Sequence, residues 1–513
     1  MNSPCLPQQL LQNRFRPALK AILVALAGIV VAVPVFAAER SQLSDGSGAY
    51  ATGKYRNVFA EQGHPKSEVS AKIALAYQQL FHGDPQTQAV YFQTGRNANG
   101  PLAYLTDWAN HDARTEGMSY GMMISVQLNH KPEFDALWNW AKTYMYISDP
   151  HHPSYGYFSW SCKTDGTPNE ETAAPDGEEY FVMALYFASA RWSNGTGIYD
   201  YKAQADALLT TMRHRAVISG PTRFGPRTVG NEVDEKYKMI RFVPGVDRSD
   251  FTDPSYHLPA FYELWARWGP VDDRQFWAEA AEVSRDFFVK TTNPVTGLAP
   301  NYANFDGTPK ATRSKQSSIF SYDSWRTASN WSVDWSWWAK APQERVLSDR
   351  IQAFFESQGL DKFGDQYTLD GKEVADRHST GLVATNAVAS LAATNPRAKE
   401  FVETLWKTPV PSGEQRYYDG MLYIMSKVMI MKFRMKMPIL RRIAPQIISR
   451  VKTPTKLLRP EILQHQITLL SNPRAIRTAP LPEHIHLQPL LRHPRKARQR
   501  PDRVTNRFLR QCT

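Results

Sequence analysis

From residue 66 to about 427, apolar positions recur at three- and four-residue spacing, the period of helices that bury one face. The pattern predicts helices near 66–81, 115–129, 132–146, 176–193, 200–213, 254–268, 273–291, 318–338, 342–357, 379–393, 396–406 and 413–427. Start signals support several: Pro132 in a first turn, Asp253-Pro254 before Ser255, and Pro342 before Gln343. The connections are uneven, and the long ones, such as 147–175 and 214–253, are rich in Gly, Pro, Tyr and Trp. Sites tend to be built on long ordered loops. The expected fold class is all-α, a toroid of helical hairpins with its site at the long-loop end.

The two ends break this pattern. Arg14, Arg16 and Lys20 precede an apolar run over 21–33, followed by Val35-Phe36-Ala37 with small residues where a signal peptidase reads. Residues 1–37 are therefore expected to be a secretory signal cut after Ala37; the run is too short for a comfortable membrane span. An exported, monomeric protein with no membrane span after cleavage is expected, periplasmic or secreted. Residues 428–513 form a basic tail with scattered prolines, including Arg492-His493-Pro494-Arg495-Lys496-Ala497-Arg498-Gln499-Arg500. Disorder is expected there. The 38–427 stretch is read as the catalytic body.

Charge alters the picture only once it is divided. The net charge is +12, yet residues 431–513 hold 19 Lys and Arg against 3 Asp and Glu, which leaves 42 against 46 over residues 1–430. The body is mildly acidic, so a nucleic-acid partner loses its support. With 14 Trp and 23 Tyr, rings that stack on sugar faces become a candidate chemistry. Of the three cysteines only Cys162 lies in the body, so neither a disulfide framework nor a cysteine metal site is expected.

Three acidic groups stand in aromatic and Gly-rich surroundings. Glu116, in Thr115-Glu116-Gly117-Met118-Ser119-Tyr120-Gly121-Met122-Met123, opens an apolar helix. Its plainer role is to match the helix dipole. The poor helix formers Gly117, Ser119 and Gly121 suit close approach of another segment or a ligand, and an apolar site would raise the pKa of Glu116 as a general acid requires. Asp176, in Pro175-Asp176-Gly177-Glu178-Glu179-Tyr180, reads by itself as an N-cap with Glu179 completing a capping box. Asp323, in Ser321-Tyr322-Asp323-Ser324-Trp325-Arg326, lies three residues from Arg326 and either forms a local ion pair or is a base held ionised by Arg326 and oriented by Tyr322. A protonated acid and an ionised base are the minimum needed to hydrolyse a glycosidic bond. Trp160 and Tyr256 are candidate sugar platforms. No nucleophile elbow, phosphate-binding loop or zinc spacing appears, and His111-Asp112 is too little for a metal.

These segments, with Asp253-Pro254-Ser255-Tyr256, resemble glycoside hydrolase family 8 in residues, order and spacing over about 52–425. Phe81-His82-Gly83-Asp84 and Gly156-Tyr157-Phe158-Ser159-Trp160-Ser161-Cys162-Lys163 bring the chain nearest to that family's exo-oligoxylanases, which release xylose from the reducing end. The resemblance implies an (α/α)6 barrel that inverts anomeric configuration without metal or cofactor. It implies Glu116 as general acid, Asp323 as general base and Asp176 as the carboxylate holding the distorted sugar. Tyr322 and Arg326 would position Asp323, Trp160 and Tyr256 would bind sugar, and His378 would contact the reducing-end sugar in a wall at Asp376-Arg377-His378-Ser379. The expected substrate is a β-1,4-xylo-oligosaccharide. The alternatives are an endo-β-1,4-xylanase or endo-β-1,4-glucanase of the same family, and a non-catalytic carbohydrate-binding toroid. Similarity ends soon after Tyr423, and the tail has the look of out-of-frame translation, which a peptide spanning 480–510 in the exported protein would refute.

Overall fold

The computed structural model describes residues 45–432 apart from 248 and 249. The expected signal segment with its expected cleavage point, and the sequence beyond 432, lie outside the described residues. Among the described residues, the main helices are α1 (Lys66–His82), α2 (Thr115–Leu128), α3 (Lys131–Trp140), α4 (Pro175–Trp192), α5 (Tyr201–His214), α6 (Pro259–Trp268), α7 (Arg274–Thr291), α8 (Thr327–Trp338), α9 (Gln343–Gln358), α10 (Thr380–Val388), α11 (Ala398–Lys407) and α12 (Arg416–Lys432).

Composition sorts them into two rings. The even-numbered helices are apolar or small nearly all round, as buried helices must be. In α2 every residue from 117 to 126 is buried, and in α4 every residue from 175 to 188. The odd-numbered helices bury one stripe; in α11 that stripe is Phe401, Val402 and Leu405. Inner neighbours follow the order α2, α4, α6, α8, α10, α12 and back to α2, packed helix against helix at every step except α4–α6, where side chains make the link. The α4–α6 step is held by Tyr262, whose hydroxyl donates to Glu179 Oε1 at 2.6 Å, and by the Tyr180 and Phe261 rings at 5.2 Å. Each odd helix lies against an inner one. This is the (α/α)6 barrel. Buried charge ties its layers: Arg285 of α7 donates to Asp334 of α8 at 2.7 and 2.9 Å and to Glu263 of α6 at 3.0 Å.

The connections alternate. Inner-to-outer links are short: 129–130, 193–200, 269–273, 339–342 and 389–397. Outer-to-inner links are mostly long: 83–114, 141–174, 215–258, 292–326, 359–379 and 408–415. The N-termini of all six inner helices therefore open at the end that carries the long links.

The predicted helices are present with local differences. The 132–146 helix ends at Trp140 and opens into a π turn over Ala141–Met145, where Thr143 turns its hydroxyl back onto the Asn139 carbonyl at 2.6 Å. The 254–268 helix is a 3₁₀ turn over Pro254–Tyr256 followed by α6, because Leu258 before Pro259 is pushed out of the helical region. The 318–338 helix likewise splits into a 3₁₀ turn over Tyr322–Arg326 and then α8. The last helix runs to Lys432, so Val428 and Ile430, read as the start of the tail, are buried. The loops contain short antiparallel pairs that periodicity did not reveal: β1 (Tyr91–Asn97) with β2 (Gly100–Leu105), β3 (Asp112–Arg114) with β4 (Ser161–Lys163), and β5 (Ile218–Thr222) with β6 (Gly225–Val229). Among the described residues no helix is long and apolar enough to cross a membrane.

Candidate active site

Four inner-helix starts bring the candidate carboxylates and their partners together. Glu116 lies in the first turn of α2, whose entry is fixed by β3 pairing with β4 and by the Thr115 N–H donating to the Trp160 carbonyl at 2.9 Å. Asp176 lies in the first turn of α4. It is not an N-cap: Ala174 takes that position, and Asp176 Oδ1 accepts from the Gly177 N–H at 2.9 Å. Asp323 and Arg326 belong to the 3₁₀ turn that leads into α8. Tyr417 and Tyr418 lie in the first turn of α12.

Arg326 is the hub. Its Nη1 lies 3.1 Å from Glu116 Oε1, 2.8 Å from Asp176 Oδ2 and 2.7 Å from the Tyr120 hydroxyl. Its Nη2 donates to Ser255 Oγ at 2.8 Å and lies 3.1 Å from Asp323 Oδ1. The local ion pair with Asp323 is thus one arm of a larger cluster. Exposure grades the cluster: the side chains of Arg326 and Asp176 are 5% and 7% exposed, Glu116 16% and Asp323 30%. Asp323 therefore faces the opening most, with Glu116 next.

Three carboxyl groups share one guanidinium, and crowding them in a buried place favours keeping a proton. Asp176 has the shorter contact to Arg326 and a backbone donor besides. Glu116 has only the longer contact to Arg326 and the Tyr417 hydroxyl, which donates to Oε2 at 3.2 Å. Burial, partly offset by Arg326 and reinforced by Asp176 and Asp323, pushes Glu116 up to about 8. Burial also raises Asp176 against the pull of Arg326. The arrangement supplies a carboxylic acid that is protonated at neutral pH beside a more open carboxylate.

Tyr322 meets Asp323 through the backbone. Its φ is +40°, a left-handed conformation rare outside glycine, and its carbonyl accepts from the Tyr418 hydroxyl at 3.2 Å. Its own hydroxyl accepts from Gln366 Nε2 at 3.3 Å. The small residues of the Glu116 helix admit protein rather than open space. A Cβ on Gly117 would come within 2.5 Å of the Tyr417 ring and hydroxyl, and one on Gly121 within 2.0 Å of Leu105.

Trp160 is half-buried with the Arg114 guanidinium 5.6 Å from its ring. Tyr256 is only 5% exposed; its ring stacks at 17° and 5.9 Å on Phe242, which is half-buried. His378 is exposed at the start of α10, with Nδ1 2.9 Å from the Phe363 carbonyl. Asp112, beside His111, accepts from Arg114 Nε at 3.0 Å and from Ser161 Oγ at 2.8 Å. Sequence reasoning missed Tyr120, Ser255, Tyr417 and Tyr418. A tyrosine in the first turn of an inner helix, next to a short polar link, is the only signal that marked the last two.

Residues 104–432 match the model of glycosyl hydrolases family 8. The reducing-end xylose-releasing exo-oligoxylanase Rex8A of Paenibacillus barcinonensis is 43% identical over 74% of this chain and 95% of its own length. A reducing end xylose-releasing exo-oligoxylanase of Halalkalibacterium halodurans is 42% identical over 74% of this chain and 93% of its own. A xylanase of the family from Teredinibacter turnerae, solved as a catalytic mutant with xylohexaose, superimposes with a TM-score of 0.75 and 52% identity over 76% of this chain and all of its own.

Proposed function

This chain belongs to glycosyl hydrolases family 8, and from that membership we propose that it is an inverting glycosidase that cleaves β-1,4-xylo-oligosaccharides and releases xylose from the reducing end. The observation that carries the reading is the single guanidinium of Arg326, which joins Glu116, Asp176 and Asp323 while Glu116 keeps its proton up to about 8. Glu116 Oε1 and Asp323 Oδ1 are each 3.1 Å from a different terminal nitrogen of that group. Their separation is therefore below about 9 Å, compatible with an acid and base that admit one water between them.

In this reading Asp323 takes a proton from a water whose oxygen bonds to the anomeric carbon. The glycosidic C–O bond breaks, and the proton on Glu116 passes to the leaving oxygen. Glu116 is left ionised, Asp323 protonated, and both reset by exchange with solvent. Asp176, held by Arg326, accepts hydrogen bonds from hydroxyls of the distorted sugar. Arg326 and the backbone of Tyr322 aim Asp323, Trp160 and Tyr256 flank the sugar, and His378 stands at the reducing-end wall. A non-catalytic sugar-binding toroid would have no use for the protonated Glu116 beside Asp323. The pattern over residues 14–37 supports export, with the mature protein starting after Ala37, as N-terminal sequencing of the exported protein would check.

Internal cleavage of xylan is the second reading, favoured by the higher identity to the Teredinibacter turnerae xylanase. Two assays test the proposal. Glu116→Ala and Asp323→Ala are each expected to lose about 10³-fold or more of the parent rate on xylotriose while staying folded; parent activity in either refutes its role. Xylo-oligosaccharides reduced to the alditol are expected to resist, since an enzyme that grips the reducing end rejects them. Hydrolysis of reduced xylohexaose at the parent rate establishes the internal reading instead.

A further inference from the structure

The first turn of α12 is Arg416-Tyr417-Tyr418-Asp419, and each of these four residues reaches a different part of the site end. Arg416 is buried; it donates to the carbonyls of Ala89, Gly413 and Pro85 at 2.9, 2.6 and 3.2 Å and packs 3.9 Å from the Trp108 ring. Asp419 accepts from the Gly381 N–H at 3.0 Å and from Arg377 Nη1 at 2.9 Å, which fixes the start of α10. Arg416 and Asp419 thus clamp the helix start from two sides. The two tyrosines between them point to the two ends of the catalytic pair. Tyr417 donates to Glu116 Oε2 at 3.2 Å, and Tyr418 donates to the carbonyl of Tyr322, one residue before Asp323, also at 3.2 Å.

We propose that Tyr417 and Tyr418 are a pair of positioning residues, Tyr417 aiming the transferable proton of Glu116 and Tyr418 holding the strained backbone that presents Asp323. This deepens the proposed function and rests on its assignment of acid and base.

Hydrogen-bond accounting supports the role of Tyr417. Arg326 has donors only, so Glu116 Oε1 beside it is an acceptor, and the proton of the acid resides on Oε2. A Tyr417 hydroxyl that donates to Oε2 occupies a lone pair there and offers the proton no resting place on the tyrosine, so the proton is directed to the opening. The contact is specified tightly. Gly117 leaves the room the tyrosine ring fills, since a Cβ there would lie 2.5 Å from it. The groups facing Glu116 are Arg326 and Asp323 from the turn before α8, Asp176 and Tyr180 from α4, Tyr120 from its own helix, Arg114 from β3, and Tyr417 and Tyr418 from α12. Among them Tyr417 alone touches Oε2.

Backbone strain at Tyr322 supports the role of Tyr418. A tyrosine at φ +40° persists only where its surroundings over-determine it. The Tyr418 hydroxyl on the Tyr322 carbonyl is one such restraint, and the Tyr418 ring also lies 5.6 Å from Trp325 within the same turn. Releasing that restraint lets the turn relax and swings Asp323 away from the water it must activate.

The test compares two substrates, xylotriose and xylobiosyl β-fluoride, whose fluoride leaves without a proton from the acid. Tyr417→Phe is expected to lose about tenfold in kcat on xylotriose with KM little changed. The alkaline limb of its kcat/KM profile is expected to rise, because loss of a donor disfavours the carboxylate, and its fluoride hydrolysis should stay near the parent. Tyr418→Phe is expected to lose about tenfold in kcat on both substrates with the alkaline limb unmoved, because the base serves both. Tyr423→Phe, on the same helix with its hydroxyl on the Thr408 carbonyl at 2.9 Å, is the control and should match the parent. An alkaline limb that stays or falls in Tyr417→Phe, or equal losses on both substrates, overturns the role of Tyr417. Parent kcat in Tyr418→Phe overturns that of Tyr418. Glu116→Ala separates the two levels: if it loses fluoride hydrolysis as well, the acid assignment itself fails, whatever the tyrosine variants do.

Discussion

Glu116 carries the sharpest expectation at the scale of single residues. Its usual pKa near 4.5 is raised to about 8 by burial first and by the charges of Asp176 and Asp323 after that, against the pull of Arg326 and Arg114. A general acid must be protonated to act, so kcat/KM on xylotriose is expected to hold through neutral pH and fall as pH rises through about 8. A pH-rate profile checks this, and an alkaline limb near 5 would contradict it. The three carboxylates and Arg326 were legible in the sequence because each stands in a short, distinctive segment. Their partners were not. Tyr120, Ser255 and Tyr417 touch Arg326 or Glu116 across separations of 206, 71 and 301 residues, and no local pattern encodes such contacts. The capping role considered for Asp176 failed for a related reason: Pro175 fits the first helical position and moves the cap back to Ala174, freeing the Asp176 side chain for Arg326.

Among the elements, the helices were readable and their ends were not. The outer helices bury a stripe, and the 3.6-residue period survives in them. The inner ones were read from the same spacing, helped by start signals such as Asp253-Pro254, although residues buried on all sides leave less period to read. Boundaries failed where a polar or strained group interrupts the helix: at Thr143, at Leu258-Pro259 and at Tyr322. The small residues of α2 were rightly read as points of close approach, and the approaching groups are Tyr417 and Leu105. Gly117→Ala is therefore expected to push Tyr417 off Glu116 or to strain α2 by about 1–3 kcal/mol. The measurements are thermal melting and kcat on xylotriose, with both expected to fall; a variant with the parent melt and the parent kcat would show that the contact is slack.

Across the whole molecule, the six inner N-termini open at one end, and the carboxyl cluster sits at three of them, with Glu116 and Asp176 in the first turns of α2 and α4 and Asp323 in the turn leading into α8. Within electrostatic reach of Asp176 lies a further acidic layer. Glu178, Glu179 and Glu232 are fully buried, and both oxygens of Glu232 lack a hydrogen-bond partner among the described residues. Burial first, and their mutual charge after it, raises Glu232 well above the usual carboxyl value. The folded state thus holds protons that the unfolded chain releases above about 4.3, so this layer's contribution to stability declines as pH rises from there toward the folded-state values. Glu232→Gln keeps the shape and removes the titration. It is expected to raise Tm relative to the parent at pH 9 and to change it little at pH 5, by calorimetry; an equal shift at both pH values would assign the effect to packing instead.

The central claim, that Glu116 and Asp323 act from opposite sides of one sugar with a water between them, is tested most directly by the anomer formed first. Hydrolysis of xylotriose followed by proton NMR should show the new reducing end of xylobiose appearing as the α anomer before mutarotation. Appearance of the β anomer would mean a covalent sugar–enzyme intermediate and would contradict the roles given to both residues.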